Sequence, residues 1–368
     1  MLNIFNDLSI PPKGHENFVV HKDIRLKKLE ILNIMNKKWE TFLLAQGAEF
    51  SDDNKIEFTS TNANPENFIC ALSHLAIIVV SGKDAAQFLQ GQITCDVIQD
   101  INDNSSSFAA LCSAKGRIIS TFLIIKRADV FYLILPSTLS EIVVKRLQMF
   151  ILRSDISITD VTDEFCLIGL GGKKPIDNFP QQTFNVSENE GLIVKYPSNN
   201  CRFLVLKKVE QSIQFWSRFI ETKKFIATGN CYWKELEILD GIPWLTKETS
   251  EEFIPQMLNL DLLKAVSFKK GCYTGQEIIA RTHFLGKAKR KMYLARSQTN
   301  TKISPNDSIY EDITGNKQII GKVLNVCHKN NQYTMLVVVQ TDHEKCGKIT
   351  LENQAELTLS DLTYSYLN

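Results

Sequence analysis

The stretch FKKGCYTGQEIIAR, which spans Phe268–Arg281, places a cysteine between a pair of lysines and the predicted start of a helix. Thr274 and Glu277 have the spacing of a capping box, in which a hydroxyl and a carboxylate accept hydrogen bonds from main-chain N–H groups at the start of a helix. We therefore predict that a helix begins near Gly275 and continues through QEIIAR. The cysteine then lies just before a helix N-terminus.

Cys272 has the sequence surroundings of a reactive thiol. The positive end of the helix dipole and the charges of Lys269 and Lys270 would favour its thiolate form. Gly271 and Gly275 permit tight turns and the close approach of a ligand. The alternative is a small buried side chain beside a structural turn, which is the usual state of a free cysteine. Because three independent features coincide here, we interpret Cys272 as functional.

A cysteine hydrolase is another class of protein that would use an exposed, reactive thiol. Such an enzyme also needs a histidine base next to the thiol. His283 would lie on the following helix, and His74 and His328 are distant in sequence, so no spacing places a base beside Cys272. We therefore do not favour this class.

The composition is that of an ordinary globular protein with room for two or three packed units: 368 residues, 44% hydrophobic and 23% charged. No apolar run reaches the roughly 20 residues that a membrane-spanning helix needs, so we expect no membrane association. The formal net charge of +1 provides no overall field that attracts nucleic acid. The basic run KAKRK at 287–291 is expected to be a solvated edge and not a nucleic-acid-binding arm.

The nine cysteines have the spacing of neither a metal site nor a disulfide framework. None forms a C-x-x-C pair and none has a histidine at ligand spacing, so we expect no stably bound metal. Their odd number and their place in apolar segments, as at Cys70, Cys166 and Cys201, indicate core residues in a reducing compartment. We therefore expect a cytoplasmic protein.

Apolar periodicity predicts an α+β protein whose strands and helices follow in mixed order with hairpins. RLKKLEILNIMNKKWETFLLAQG predicts an amphipathic helix that stops at Gly47, and two strands are predicted to turn near Ala128–Asp129. The cluster Gly169, Gly171 and Gly172 lacks the spacing of a dinucleotide-binding motif, and it predicts a strand-ending turn. The predicted units are an N-terminal extension with the start of the amphipathic helix (1–38), a first α+β lobe (39–164), a second α+β lobe carrying the motif (165–285) and a C-terminal β-barrel (286–368).

The string KKGCYTGQE resembles the signature of the YgfZ family, folate-binding proteins of the glycine-cleavage T-protein superfamily that support iron–sulfur enzymes and tRNA modification. The resemblance extends over VSGKDAAQFLQGQITCDV, AKGRIIS, LDGIPWL, FIPQMLNLDLLKAVSF and LTYSYLN. It implies two α+β lobes and a small β-barrel arranged as a ring around a central channel, with reduced folate in the channel and Cys272 exposed near it. The motif residues implied to support this thiol are Lys269, Lys270, Gly271, Tyr273, Thr274, Gly275, Gln276 and Glu277.

The resemblance also implies folate contacts. Trp233 matches a position at which relatives carry a tryptophan associated with folate, and an indole face can stack on a flat pterin. Core packing is the alternative for this side chain. Leu75 stands where relatives have a second tryptophan, and Arg281 on the motif helix is expected to line the channel.

Two departures from the family pattern bear on function. Leu239 stands where relatives have a glutamate suited to a pterin edge, so Glu237 or Asp240 is the candidate to replace that acceptor. The resemblance implies that true T-proteins carry acidic residues, one of which is needed for aminomethyl transfer, where this chain has Ser120 and Thr121. A hydroxyl cannot serve as that carboxylate at neutral pH, which argues against aminomethyl transfer.

From the resemblance we expect tetrahydrofolate or a derivative as the cofactor, and iron–sulfur enzymes such as radical tRNA-modifying enzymes as transient partners of a monomer. The leading hypothesis is an accessory protein in assembly or repair of iron–sulfur enzymes. It would support tRNA methylthiolation indirectly, with Cys272 as the key thiol and no direct contact with nucleic acid. A tetrahydrofolate-dependent one-carbon transferase and a non-catalytic folate-binding scaffold stay open. The sequence does not choose whether Cys272 ligates iron, attacks a sulfur or carbon centre, or receives a one-carbon unit.

Overall fold

The computed structural model describes residues 35–51, 56–58, 65–313, 316–341 and 348–367 of the chain. Most of the predicted N-terminal extension therefore lies outside the described residues. The described part of the predicted amphipathic helix is helical, as α1 (Lys37–Ala45), and it buries Trp39 and Leu43. Gly47 follows this helix with φ +88°, in agreement with the predicted stop.

Strands and short helices then follow in mixed order. The first part of the chain contains β1 (Ala48–Phe50), β2 (Ile56–Phe58), β3 (Asn67–Ala71), β4 (Leu75–Ser81), α2 (Ala85–Gln90), β5 (Ser106–Cys112), β6 (Ile118–Arg127), β7 (Val130–Pro136), α3 (Ser140–Gln148) and β8 (Ser157–Asp160). The middle part contains β9 (Phe165–Gly172), β10 (Val186–Ser187), β11 (Leu192–Lys195), β12 (Cys201–Lys208), α4 (Val209–Glu221), β13 (Ile226–Thr228), α5 (Asn230–Leu239) and α6 (Gln276–Leu285). The last part contains β14 (Arg290–Ser297), β15 (Ser308–Ile313), β16 (Asn316–Lys329), β17 (Gln332–Gln340), β18 (Lys348–Leu351) and β19 (Thr358–Ser360).

The first large sheet has the strand order β5-β6-β7-β4-β8, and its neighbouring strands are antiparallel. Its three inner strands, β6, β7 and β4, bury most of their residues, because side chains on both faces of the sheet are covered. Strands β6 and β7 form the predicted hairpin. Arg127 pairs with Val130 across it, and Ala128 at the turn has φ +49°.

The second sheet has the order β10-β11-β12-β9-β3-β13. Strand β3 is antiparallel to β9 and parallel to β13. Helix α4 contributes Phe215, Trp216 and Phe219 to a buried cluster with Trp39 of α1. Strand β3 comes from the predicted range 39–164 and the rest of the sheet from 165–285, so these two ranges share one sheet.

Gly169 and Gly171 lie inside β9, Gly172 is its last residue, and all three pair with β12 and β3. The strand ends at this cluster as predicted, but the prediction of a turn is wrong at Gly169 and Gly171. A Cβ on Gly169 would lie 2.5 Å from the ring of Trp233, and one on Gly171 would lie closer still to the ring of Phe68. Glycine is required here because aromatic rings pack directly on the strand.

The third sheet has the order β18-β15-β16-β17-β14-β19, with antiparallel neighbours. It curls into a half-barrel around buried side chains that include Ile309, Val323 and Val337. Within the described strands, β18 and β19 are the two edges. The predicted C-terminal barrel is thus present as a curled, open sheet.

Helix α5 connects the second sheet to the half-barrel, since it contacts β3 as well as β16 and β17. The chain then crosses to the first sheet, where the Ile118 N–H donates to the carbonyl of Phe253 at 2.8 Å and the Glu251 N–H donates to that of Ile118 at 2.7 Å. It next reaches the half-barrel, where Asn259 Nδ2 donates to the carbonyl oxygen of Met292 at 3.2 Å. The segment that leads to the motif is therefore held by two sheets.

Candidate functional site

Cys272 lies in the loop before α6. Among the cysteines that the structure describes, only Cys272 is exposed, and the others are buried or half-buried. Burial raises the pKa of Cys95, Cys166 and Cys327 to about 12, so these thiols stay protonated at neutral pH. In this part of the chain, the thiol that a large partner can reach is Cys272.

Lys270 fixes the motif loop to a neighbouring segment. Its ammonium donates to the carbonyl oxygens of Ile93 and Cys95, both at 2.7 Å, and lies 4.9 Å from the ring centroid of Tyr273. Burial lowers its pKa to about 8. The sequence predicted that Lys270 favours a Cys272 thiolate. Its hydrogen bonds go instead to main-chain carbonyls, because the side chain is buried against residues 93–95.

Gly275 occupies the N-cap position of α6, and no side chain caps this helix. The predicted capping box with Thr274 is therefore wrong, although the helix begins next to the predicted residue, at Gln276. Gly275 has φ +83°, a conformation natural to glycine. A Cβ there would lie 2.5 Å from the carbonyl oxygen of Ser113. Close contact with the turn at 113–116 thus sets the start of α6.

The other motif residues divide into buried supports and exposed side chains. Gln276 Nε2 donates to the carbonyl oxygen of Lys270 at 3.4 Å. Tyr273 is buried, and burial raises its pKa well above the usual value. The exposed residues of the stretch Phe268–Arg281 besides the cysteine are Lys269, Gly271, Glu277, Ile278 and Arg281.

A cavity of about 230 Å³ lies between the first sheet, α5 and the half-barrel. Its polar and aromatic wall includes His74, Glu237, Trp244 and Asn325, and Leu75 adds an apolar side chain. Leu75 and Glu237 were both predicted as folate contacts. The volume is below the roughly 300–1,000 Å³ of sites for drug-sized ligands. The cavity therefore has the size for a fused ring system and not for a whole folate.

Glu237 is the acceptor at the wall of this cavity. Its Oε1 accepts hydrogen bonds from Tyr196 Oη at 2.8 Å, Trp233 Nε1 at 2.8 Å and Trp244 Nε1 at 2.9 Å. None of these three donors uses Oε2. Burial raises the pKa of Glu237 above its ordinary value, against the opposing effect of the donors. The carboxyl group can thus accept a ligand hydrogen bond or, when protonated, donate one.

His74 and Asn325 bring unpaired polar atoms to the cavity wall. Within the described residues, the two ring nitrogens of His74 and Oδ1 of Asn325 have no hydrogen-bond partner. The other side-chain atom of Asn325, Nδ2, donates to the carbonyl oxygen of Trp244 at 2.6 Å. Burial lowers the pKa of His74 well below its usual value, so the ring is neutral and offers one donor and one acceptor. Because buried polar atoms are normally paired, these atoms indicate a place for a water molecule or a polar ligand.

Trp233 is a buried core residue and Asp240 is half-buried, and neither lines the cavity. Trp233 is 0% exposed, and the guanidinium of Arg202 lies 4.7 Å from its ring centroid. An indole without exposed surface offers no face to a pterin, which supports the packing alternative. The Asp240 carboxylate accepts from Arg202 Nη2 at 2.6 Å. Of the two candidate acceptors, only Glu237 lines the cavity.

The sequence did not predict His74, Trp244 and Asn325 as site residues. They come from the turn before β4, the segment after α5 and strand β16, and no motif spacing connects these places. Trp244 alone stood in a stretch, LDGIPWL, that the resemblance had marked. Arg281, which was predicted to line the channel, is exposed on α6 and is not a lining residue of this cavity.

In the part of the chain that the structure describes, no group of three or more His, Cys, Asp or Glu side chains is arranged to hold a metal ion. Cys272 thus has no neighbouring set of protein ligands there. None of the helices in the described residues has the length and apolar character to cross a membrane.

The fold is similar to that of a glycine-cleavage aminomethyltransferase. The crystal structure of glycine cleavage system aminomethyltransferase T from Bartonella henselae matches with a TM-score of 0.73 at 13% sequence identity, covering 91% of this chain and 99% of that chain. Residues 57–184 match the GCVT N-terminal domain family. The expected α+β, T-protein-like fold class is confirmed by this similarity.

Sequence similarity identifies the family to which the chain belongs. The tRNA-modifying protein YgfZ of Colwellia psychrerythraea is 29% identical over 306 residues, covering 82% of this chain and 94% of the relative. The tRNA-modifying protein YgfZ of Hamiltonella defensa is 30% identical over 233 residues, covering 61% of this chain and 68% of the relative. The chain belongs to the YgfZ family, and the resemblance found from KKGCYTGQE is confirmed.

Proposed function

We propose that the protein is a cytoplasmic, folate-binding accessory protein that assists assembly or repair of 4Fe–4S enzymes, acts as a monomer, and supports tRNA methylthiolation indirectly, without binding nucleic acid itself. Relatives in its family carry the name of tRNA-modifying proteins. The observation that carries the proposal is the position of Cys272, the exposed thiol among the described cysteines.

In this proposal Cys272 contacts the client protein. A thiolate is both a ligand for iron and a nucleophile toward sulfur or carbon. The main chain on either side of the thiol is held, by Lys270 on residues 93–95 and by Gly275 against the turn at 113–116. The sulfur is therefore presented at a fixed place on the surface, which suits brief contact with a partner.

The cavity is our candidate site for the pterin ring of a reduced folate. Oε2 of Glu237 is free of the three donors that bind Oε1, and pterin edges present N–H groups to such an acceptor. His74 and Asn325 add unpaired polar atoms, while Leu75 and Trp244 supply apolar wall. Bound tetrahydrofolate would supply a one-carbon carrier or a reductant. The residues of this chain would bind and orient its ring and exclude water from it.

The alternative of aminomethyl transfer has no acid–base group at the positions where T-proteins carry one. Thr121 Oγ1 donates to the carbonyl oxygen of Pro243 at 2.7 Å, and Ser120 Oγ donates to that of Thr121 at 3.1 Å. Both side chains are buried in β6. A hydroxyl engaged in this way cannot act as a carboxylate at neutral pH, which favours the accessory role.

Complementation tests the role of the thiol. A bacterial strain that lacks its own relative would receive wild type, Cys272→Ala or Cys272→Ser at matched expression, with methylthio-modified tRNA as the readout. We expect wild type to restore the modification and both variants to fail. Cys201→Ala is the matched control, because this half-buried cysteine should be dispensable. If the Cys272 variants restore full modification, the scaffold alternative becomes the better one.

Titration calorimetry with tetrahydrofolate under anaerobic conditions tests the cavity separately. His74→Leu removes the unpaired ring nitrogens and should weaken binding about tenfold, the effect of losing one or two ligand hydrogen bonds. His328→Leu is the control, because His328 is exposed on β16 and does not line the cavity. Equal affinities of the two variants would place the folate elsewhere.

A further inference from the structure

Helix α6, directly after Cys272, is covered very little by the rest of the described protein. It has ten residues, and only Ile279 is buried. Ile278, Phe284 and Leu285 are large apolar side chains with 37%, 66% and 84% exposure. Ile278 and Leu285 are seven residues apart and share one helix face with Arg281 between them. The helix therefore presents a mixed apolar and cationic face to solvent.

Phe284 is held in place although it is exposed. The rings of Phe268 and His283 stack at 3.7 Å between centroids with an interplanar angle of 14°. Phe284 packs edge-on against both of them, at 6.0 Å and 4.8 Å. A large side chain that is already ordered loses little conformational entropy when a partner covers it. This aromatic group thus has the properties of an interface anchor.

Positive charge is concentrated around this helix. Residues 261–290 contain seven Lys or Arg and two Asp or Glu, whereas the net charge of the whole chain is +1. Lys269, Arg281, Lys287 and Lys289 are exposed. A cationic rim around apolar anchors is complementary to a protein surface with acidic residues around an apolar centre.

We propose that this face docks the iron–sulfur client protein through an acidic patch with an apolar centre, and thereby brings the client to Cys272. The inference rests on the proposed function and names the surface through which the client is recognised. The α6 surface consists of Ile278, Arg281, Phe284, Leu285, Lys287 and Lys289.

A nucleic acid fits the same surface less well. Single-stranded nucleic acid is bound by cationic grooves in which aromatic rings stack on the bases. Of the three apolar side chains of the α6 surface, only Phe284 has a ring. Ile278 and Leu285 are aliphatic and offer no ring for stacking, and they flank Arg281 on the helix. Apolar contact with a protein uses such side chains directly.

Binding to a purified client tests the surface. The probe is the 4Fe–4S tRNA-methylthiolating enzyme of the complementation host, with full-length chain immobilised for biolayer interferometry. Leu285→Glu should weaken binding at least about tenfold. Lys287→Glu with Lys289→Glu should slow association, and this effect should fade at high salt. The control is Leu152→Glu after α3, because Leu152 is 87% exposed and should leave the affinity within about threefold.

Three results would overturn the docking surface. The first is an absence of client binding by wild type. The second is that Leu285→Glu and Leu152→Glu bind the client with equal affinity. The third is that a purified tRNA displaces the client from wild type and fails to bind the Leu285→Glu variant. Complementation separates the surface from the proposed function. If Leu285→Glu restores tRNA methylthiolation fully while Cys272→Ala does not, the docking surface is wrong and the role of the thiol stands. Failure of wild type itself rejects the proposed function, and the binding assay still decides the surface.

Discussion

Replacing Glu237 by leucine should leave three buried donors unpaired at once. Tyr196 and Trp233 are 0% exposed and Trp244 is 7% exposed, so solvent cannot take the place of the carboxylate. Each unpaired buried donor costs about 1–3 kcal/mol, or about 3–9 kcal/mol for the three. Leucine also removes the desolvation cost of a buried carboxylate, which is of the order of several kcal/mol. We expect a net loss of about 2–5 kcal/mol in the free energy of unfolding.

Glu237→Gln is the matched control, because its amide oxygen can still accept from the same donors. Burial raises the pKa of Glu237 above the ordinary 4.5, so the folded protein binds this proton more tightly than the unfolded chain. For such a group, stability falls as pH rises from the unfolded pKa toward the folded pKa. Glutamine does not titrate. The Gln variant should therefore gain stability relative to wild type as pH rises above 4.5.

Urea unfolding of wild type and both variants, followed by tryptophan fluorescence and circular dichroism, measures these differences. At neutral pH the Leu variant should be clearly less stable than the Gln variant. If the two differ by less than about 1 kcal/mol, the size of a single net hydrogen bond, then the three donors do not depend on Glu237 and the argument is refuted.

Other variants test the backbone positions and the lysine anchor. Gly169→Ala should lower the free energy of unfolding by about 1–3 kcal/mol through overpacking, because its Cβ would lie 2.5 Å from Trp233. Urea unfolding measures the loss, and Gly271→Ala is the control, because nothing lies within 4 Å of the new Cβ there. Gly275→Ala should also cost more than Gly271→Ala in the same assay, because Gly275 has φ +83°; equal costs would contradict this. Lys270→Met removes two charge-assisted hydrogen bonds and should destabilise by about 1.5–3 kcal/mol for each, with faster amide exchange in the motif loop; unchanged exchange would show that the lysine does not anchor it.

Local sequence patterns correctly predicted the elements whose structure depends on their own residues and not on distant parts of the chain. The hairpin turn at Ala128 appears as expected. The glycines of β9 did not, because an aromatic ring from a helix far along the chain, and not the local sequence, requires glycine at 169. The capping-box spacing at Thr274 failed for a similar reason, since a turn at 113–116 contacts Gly275.

The candidate site was predictable where it followed a motif. Cys272 and the Lys270 beside it were visible as a group, but the partners of Lys270 lie 175 and 177 residues away, and no local pattern indicates them. The sequence offered Glu237 and Asp240 as candidates to replace a missing acceptor. Only the packing of α5 shows that Glu237 lines the cavity and that Asp240 does not. Asn325 could not be predicted, because its relation to the cavity depends on how the half-barrel meets α5.

The place of β3 in the second sheet has a consequence during synthesis. Strand β13, its parallel neighbour, begins 155 residues after β3 ends. At a synthesis rate of about 5–20 residues per second, β3 waits roughly 8–30 s on the ribosome for this neighbour. Its residues Phe68–Ala71 are buried in the finished protein. Strand β9 is synthesised earlier, but the edge of β3 that pairs with β13 stays unpaired for that time, and unpaired strand edges are prone to association. We therefore expect a nascent-chain chaperone to bind the segment NFICA during synthesis.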